Sequence, residues 1–325
     1  MAQITETNQL TVMVTGGSGY LGSVVCHKLV EQGHNVINID RDRKKREMQN
    51  VTLYPFDIGN PQVDGIIQLI RPDVIIHLAA STHPASSMSD PGAYYQNNVG
   101  NTISLMQSAA SAGVKNVIFA SSSSVYGESS SLPTIESQIQ QPLNPYGRSK
   151  VHAEQVLWDF AQAHDISIAI LRFFSIGGAD IESGLGYHHS DARHLIPSIS
   201  HAAQTSTPLI VYGDGAARRD FTHVLDAAKA VVLAQEYLTN GGKSDTFNIA
   251  SGIPYTVDQV LDVFAQELGV TVTRDYISVR DGEAKTTHAD ISKARKVLNW
   301  TPEYTITEIV EHSHLYHTKK FRKRT

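Results

Sequence analysis

At 325 residues the chain can hold one large α/β unit or two domains, and 41% hydrophobic with 18% charged residues is ordinary for a globular protein. A net charge of −5 leaves no electrostatic footprint for nucleic acid, and the single cysteine, Cys26, excludes an internal disulfide framework. Met1 to Leu10 is polar and lacks the apolar core of a signal peptide, and the apolar runs are strand-sized, so no membrane segment is expected and the expected compartment is the cytoplasm.

The first element is also the most informative. Val12-Met13-Val14 reads as a buried strand, Thr15-Gly16-Gly17-Ser18-Gly19 follows as a turn, and Leu21, Val24, Val25, Leu29 and Val30 recur at helical spacing. The unpaired amides and positive dipole end of a helix favour a diphosphate, and glycines let it approach the backbone. An acidic residue, Asp40, closes the next apolar run, Val36 to Ile39, so the context of a dinucleotide-binding turn is complete. Cys26 falls on the buried face of the first helix and reads as a core residue.

Farther along, a charged loop runs from Arg41 to Arg46, and Val51 to Phe56 is a strand ending at Asp57-Ile58. Ile66 to Ile70 is helical, Val74 to Ala80 is a strand entering a small-residue loop, and Tyr94 to Ala112 is one long helix closed by Gly113. Val117 to Ala120 is a strand tipped by Ser121 to Ser124, Val151 to Ala163 a helix, and Ile166 to Leu171 a strand. The alternation predicts an α/β protein, a Rossmann-like doubly wound parallel sheet with ligands at the carboxyl ends of the strands. From Ser175 glycine, histidine and proline become frequent, with helices at Ile196 to Ala203 and Val257 to Leu268. The expected division is 1–174 for the dinucleotide domain, with segments returning near 221–250, and 175–325 for a smaller α/β substrate domain.

Within Asn144-Pro145-Tyr146-Gly147-Arg148-Ser149-Lys150, a spacing of four puts a phenol and an ammonium on one helix face, with Pro145 suited to the first turn. A tyrosine with an ordinary pKa of about 10 needs neighbouring positive charge to act as a base near neutrality. Lys150 and an oxidised nicotinamide are the expected sources. The fifteen histidines include His188-His189, but no metal-ligand spacing accompanies the pair, so it reads as a polar loop and no metal is expected. His77 and His223 lie beside apolar runs and read as hydrogen-bonded structural residues. The basic tail Lys319 to Arg324 reads as a solvated end.

Together, Thr15 to Gly22, the serine-tipped strand before Val125-Tyr126-Gly127, and Tyr146-x-x-x-Lys150 resemble the extended short-chain dehydrogenase/reductases, closest to the UDP-glucose 4-epimerases. Tyr94 to Asn98, His194-Leu195-Ile196-Pro197, Arg219 to Val224 and Ala289 to Ala294 continue the resemblance over nearly the whole chain. It implies NAD as cofactor and a UDP-hexose as substrate. Gly16, Gly19, Tyr20, Leu21, Gly22, Asp40, Asp57, Ile58, Leu78, Ala79, Ala80 and Asn97 would then bind NAD, with Asp40 on the adenosine ribose disfavouring a 2′-phosphate. Tyr146 is the implied acid/base, Lys150 lowers its pKa and holds the nicotinamide ribose, and Ser122 bonds the reacting hydroxyl. Ser175, His194, Leu195, Tyr212, Arg219, Arg280 and Thr287 would face the substrate, the two arginines on its diphosphate.

By the same resemblance the sugar 4-hydroxyl is deprotonated, its C4 hydride passes to NAD, and the 4-keto sugar turns and receives the hydride on its other face. A homodimer is implied, paired through the helices that carry Tyr94–Tyr95 and Trp158. Ser124 stands where dehydratases and decarboxylases of the family carry an acid. The chain departs from common epimerases at Ser175, where they have Asn, and at Thr82, where they often have Lys. Thr287 stands where a bulky Tyr restricts some epimerases to non-acetylated hexoses, which implies room for an N-acetyl group. A nucleotide-sugar 4-ketoreductase and a non-catalytic dinucleotide sensor remain as other readings.

Overall fold

The computed structural model describes residues 9–42, 48–187 and 194–322. In chain order the first half runs β1 (Thr11–Thr15), α1 (Tyr20–Glu31), β2 (Asn35–Ile39), β3 (Val51–Tyr54), α2 (Gln62–Ile70), β4 (Val74–His77), α3 (Pro84–Ser89), α4 (Pro91–Tyr95), a π-helical turn (Gln96–Gly100), α5 (Asn101–Ala112), β5 (Asn116–Ser122), α6 (Pro145–His164) and β6 (Ser167–Phe173). The second half runs β7 (Ser175–Gly177), β8 (Ala179–Asp180), β9 (Leu185–Gly186), α7 (Leu195–Thr205), β10 (Leu209–Tyr212), β11 (Arg218–His223), α8 (Val224–Thr239), β12 (Asp245–Ile249), β13 (Pro254–Thr256), α9 (Val257–Leu268), β14 (Arg274–Ile277), α10 (Ser292–Val297) and α11 (Ile306–Arg322).

Seven strands form one sheet in the order β12-β6-β5-β4-β1-β2-β3, and every pairing is parallel. The fully apolar runs in β1, β4 and β6 are what a strand covered on both faces requires. Val24, Leu29, Val231 and Phe247 pack on one face, and Ile67, Leu105, Leu157 and Phe119 on the other. The strand order reverses between β1 and β4, which opens the crevice where a doubly wound sheet binds ligands. β12 draws the chain back into the large sheet after residue 240, whereas Phe221 belongs to a three-stranded sheet, β13-β11-β7. A separate core of Ile199, Val211, Phe221, Phe264 and Val310 backs that smaller sheet.

Two helices differ from their sequence reading. The expected single helix over 94–112 is interrupted by the π-helical turn. There Asn98 turns inward: its Oδ1 accepts from Ser81 N (2.8 Å), and its Nδ2 donates to Ser149 Oγ (2.9 Å). A π-turn inserts a residue into the helical ladder, which lets a polar side chain face a site from an otherwise apolar stripe. Helix α6 begins six residues earlier than its apolar periodicity suggests, because Asn144 caps it and Pro145 occupies its first turn.

At the β1–α1 turn Gly16 has φ +74°, and a Cβ there would lie 2.8 Å from Ala79 N. A Cβ on Gly22 would lie 2.1 Å from Gly16 O, so α1 rests directly on the turn. Gly22→Ala is expected to cost at least about 2 kcal/mol in a urea unfolding curve, since rigid backbone must move to admit one methyl. An unchanged midpoint would show that the turn shifts freely.

Candidate active site

The carboxyl ends of β1, β2, β4 and β5 open into a cavity of about 1040 Å³. Every residue the sequence nominated for a role lines it. Gly16, Gly19, Tyr20, Leu21, Gly22, Asp40, Asp57, Ile58, Leu78, Ala79, Ala80 and Asn97 form one wall, Ser122, Tyr146 and Lys150 the floor, and Ser175, His194, Leu195, Tyr212, Arg219, Arg280 and Thr287 the opposite wall.

On the first wall α1 starts at Tyr20 with Gly19 at its cap position, no side-chain cap, and no acid in its first turn. Its terminal amides therefore present positive partial charge to the cavity, which suits a diphosphate. The Asp40 carboxylate is held at the tip of β2, accepting from Ser18 N and Asp42 N (3.0 Å each). Asp57 accepts from Gly59 N (3.0 Å) and pairs with Arg41 (3.6 Å). A helix N-terminus without a side-chain cap, a glycine turn with no room for side chains and a carboxylate at the tip of the next strand together fit a dinucleotide.

The floor is dry. Tyr146 is 7% exposed and Lys150 3%. Burial pushes the Tyr146 phenol up to about 12, with a Ser122 hydrogen bond opposing the rise. Burial also pushes the Lys150 ammonium down to about 7, with the Glu154 carboxylate opposing that shift. Lys150 Nζ donates to Ala120 O (2.7 Å) and lies over the Phe119 ring (4.5 Å), while desolvation dominates at the phenol. Ser122 Oγ accepts from Ser124 N (3.1 Å), which leaves its hydrogen free to point at the phenol oxygen.

Helix α6 is pinned by charges that the sequence reading passed over. Glu154, one turn beyond Lys150, accepts from Arg172 Nε (3.0 Å) and Nη2 (2.7 Å), from Gln140 Nε2 (2.6 Å) and from the Ser121 hydroxyl. Arg172 Nη1 donates in turn to Tyr126 Oη (2.8 Å), whose hydroxyl donates to Asn248. The signal was available, since Glu154 continues the four-residue spacing of Tyr146 and Lys150 and so had to share their buried face.

A second network starts at the glycine turn. Ala79 N donates to Thr15 Oγ1 (3.3 Å), Thr15 Oγ1 bonds His77 Nδ1 (2.7 Å), and His77 Nε2 bonds Thr102 Oγ1 (3.0 Å). Thr102 donates to Asn98 O (2.8 Å), so the ring must carry its hydrogen on Nε2. Burial, and then the Lys150 charge, push His77 down to about 3, which keeps it neutral. His223 is likewise a buried structural histidine, accepting from Leu225 N (3.1 Å) and stacked on Tyr304. Burial raises the pKa of Cys26, as a core thiol requires.

On the far wall Arg280 stacks on the Tyr212 ring at 3.6 Å, and Glu283 lies 3.3 Å from both Arg280 and Arg219. Burial lowers the Arg219 pKa, and Glu283 counters it. Helix α7 starts at Leu195, and its first residues line the cavity. Thr287 N donates to Arg218 O (3.0 Å), and its buried Oγ1 has no partner among the described residues. Buried Asp220 accepts from Ser251 N (2.9 Å), Gly252 N and Ala289 N (3.1 Å each), tying the Thr287 segment to β11.

The His188-His189 pair lies outside the described residues, as do the charged run 43–47, the first eight residues and the last three. Among the described residues no group of three His, Cys, Asp or Glu could hold a metal, and no helix is long and apolar enough to cross a membrane.

This chain belongs to the NAD dependent epimerase/dehydratase family, whose pattern it matches over residues 12–250. It is 35% identical over 321 residues to a UDP-glucose 4-epimerase of Rhizobium leguminosarum bv. trifolii, an alignment spanning 95% of this chain and 98% of that one. Its fold matches a UDP-glucose 4-epimerase of Stenotrophomonas maltophila solved with NAD and formylated UDP-arabinopyranose, at TM-score 0.92 and 30% identity, covering 97% of this chain and 100% of that one. A UDP-N-acetylglucosamine 4-epimerase of Methanobrevibacter ruminantium, solved with UDP-N-acetylmuramic acid, matches at TM-score 0.87 and 28% identity, over 96% of this chain and 99% of that one.

The Glu154–Arg172 pair gives a direct test of how α6 is held, since both side chains are almost fully buried. Glu154→Gln leaves a buried guanidinium uncompensated and is expected to cost about 3–5 kcal/mol in denaturant unfolding. The double variant with Arg172→Met is expected to lose less. Equal losses would show that charge pairing is not what anchors the helix.

Proposed function

We propose that this chain is an NAD-dependent isomerase that inverts C4 of a UDP-hexose through a transient 4-keto sugar. One observation carries the reading: the Ser122–Tyr146–Lys150 floor and the Arg219–Arg280 wall belong to the same cavity as the dinucleotide-type turn. The two arginines are the proposed clamp on the diphosphate, a task that suits fixed guanidinium forks. Held there, the nucleotide presents its hexose to Tyr146.

As the phenolate, Tyr146 takes the proton of the 4-hydroxyl, and as the resulting phenol it later returns it, which is general base and then general acid catalysis. Ser122 donates to the oxygen that carries the developing charge and fixes the hydroxyl relative to the phenol. Lys150, whose Nζ donates to Ala120 O, is the proposed donor to the nicotinamide ribose. NAD supplies, when bound, a reversible hydride acceptor and the positive ring charge that favours a phenolate beside it. Asp40 favours NAD over NADP, because a carboxylate repels a 2′-phosphate. The diphosphate clamp holds one end of the substrate while the hexose turns.

Thr287 leaves more room in the wall than a tyrosine would, so acetylated hexosamines are included among the proposed substrates. The Ser175 and Thr82 departures fall on cavity residues that perform no proton or hydride chemistry. The proposed enzyme is a cytoplasmic homodimer pairing through the helices of Tyr95 and Trp158, and the Trp158 indole is 36% exposed.

A proton NMR time course tests this with purified protein, no added cofactor, and equal UDP-glucose and UDP-N-acetylglucosamine. The expected result is the galacto epimer of each, and Thr287→Tyr should lower the acetylated-to-plain rate ratio by about tenfold or more. No epimer of either sugar, even after NAD is added, would exclude both substrates and favour a ketoreductase. An unchanged ratio would remove Thr287 as the gate.

A further inference from the structure

The side chain of Asn144 touches two functional segments at once. Its Oδ1 accepts from Gly147 N (2.8 Å), capping α6 two residues before Tyr146. Its Nδ2 donates to the carbonyl oxygen of Gly282 (2.8 Å), in the segment between Arg280 and Glu283. The residue is 4% exposed, so neither bond competes with much water. The amide orientation follows from its partners: a backbone N–H needs an acceptor and a carbonyl needs a donor, and one assignment alone satisfies both.

We propose that Asn144 is a positioning residue that couples the diphosphate-binding loop to the catalytic helix. A Ser or Asp would cap the helix about as well as Asn, so capping alone does not call for a carboxamide. Only the amide adds a donor at the right reach for Gly282. That donor fixes the backbone beside Arg280, stacked on Tyr212, and beside Glu283, which braces Arg219. Leu143, Asn144 and Gly282 all border the cavity, and a Cβ on Gly282 would come within 3.2 Å of the Asn144 Cβ, so the two backbones are in close register.

Neighbouring contacts run the same way. The segment that leads into α6 also bonds the loop through Glu128 to Lys285 N (2.8 Å) and through Thr134 N to His288 O (2.7 Å). Of these links, Asn144 is the one that ends on the first turn of the catalytic helix. The coupling deepens the epimerase reading and rests on it for the identity of the bound diphosphate.

The test separates the two bonds. Asn144→Ser keeps the acceptor for Gly147 N–H and is too short to reach Gly282. Asn144→Asp also keeps the cap but offers no donor to the carbonyl. Asn144→Ala loses both bonds. Hydrogen exchange on the ligand-free protein reads the latch without any substrate. In Asn144→Ser the amides of 281–285 are expected to exchange about fivefold or more faster, with those of the first turn of α6 unchanged.

Calorimetric titration with UDP reads the consequence. The Ser and Asp variants are expected to bind about fivefold to tenfold more weakly, with kcat at saturation within about twofold of wild type and KM raised. Rescue by Asn144→Gln would not be expected, since the longer side chain displaces the cap. Unchanged exchange at 281–285 in the Ser and Asp variants would overturn the coupling, as would equal exchange gains in the first turn of α6. Wild-type protein that binds no UDP would overturn the substrate reading instead, and the exchange data would still decide whether the latch exists.

Discussion

Burial of two ionisable groups at one point governs this structure. Tyr146 and Lys150 lie one helical turn apart on a floor that water scarcely reaches, and each is disfavoured in its charged form. The phenol is pushed up to about 12 and the ammonium down to about 7, each chiefly by its own burial. A site built this way is poised: a further positive charge brought against the phenol stabilises the phenolate, and its removal restores the phenol. Such sensitivity is what reversible proton transfer in step with hydride transfer requires.

The scaffold holds that floor from three sides. Glu154 and Arg172 tie α6 to the ends of β5 and β6, where Ser121 and Arg172 stand opposite each other in register. The Thr15–His77–Thr102 chain joins the glycine turn to the π-helical turn, from which Asn98 reaches Ser149 beside Lys150. Asn144 joins the start of α6 to the loop of Arg280. Most of these links are buried polar bonds, with the bond from Asn144 to Gly282 part-buried, and a satisfied network of this kind favours a single geometry.

Much of this was readable from the residues. The strand–glycine–helix order fixed the β1–α1 turn, and alternation of apolar runs gave the parallel sheet, because a strand covered on both faces has a distinctive composition. Tyr146 and Lys150 were legible from spacing, and the far-wall arginines from resemblance. The pKa direction at Tyr146 was not legible, because it depends on how much water is excluded, and desolvation is a property of the packed site. Glu283 bracing Arg219, Asp220 holding Ala289 and Asn144 reaching Gly282 join residues tens to well over a hundred positions apart, and no local periodicity encodes such pairs. The π-helical turn was hidden because Asn98 sits within an otherwise regular helical stretch.

The most direct measurement is the ionisation of Tyr146 itself, read as the ultraviolet difference between wild type and Tyr146→Phe across a pH titration. With NAD+ bound, a tyrosinate band absent from the variant is expected to rise between about pH 7 and 9, since a nearby cation opposes the burial shift. With NADH bound, no such band is expected below about pH 10. A band that titrates identically with both forms of the cofactor, or with neither, would contradict a phenol that burial holds neutral until a positive charge is set against it.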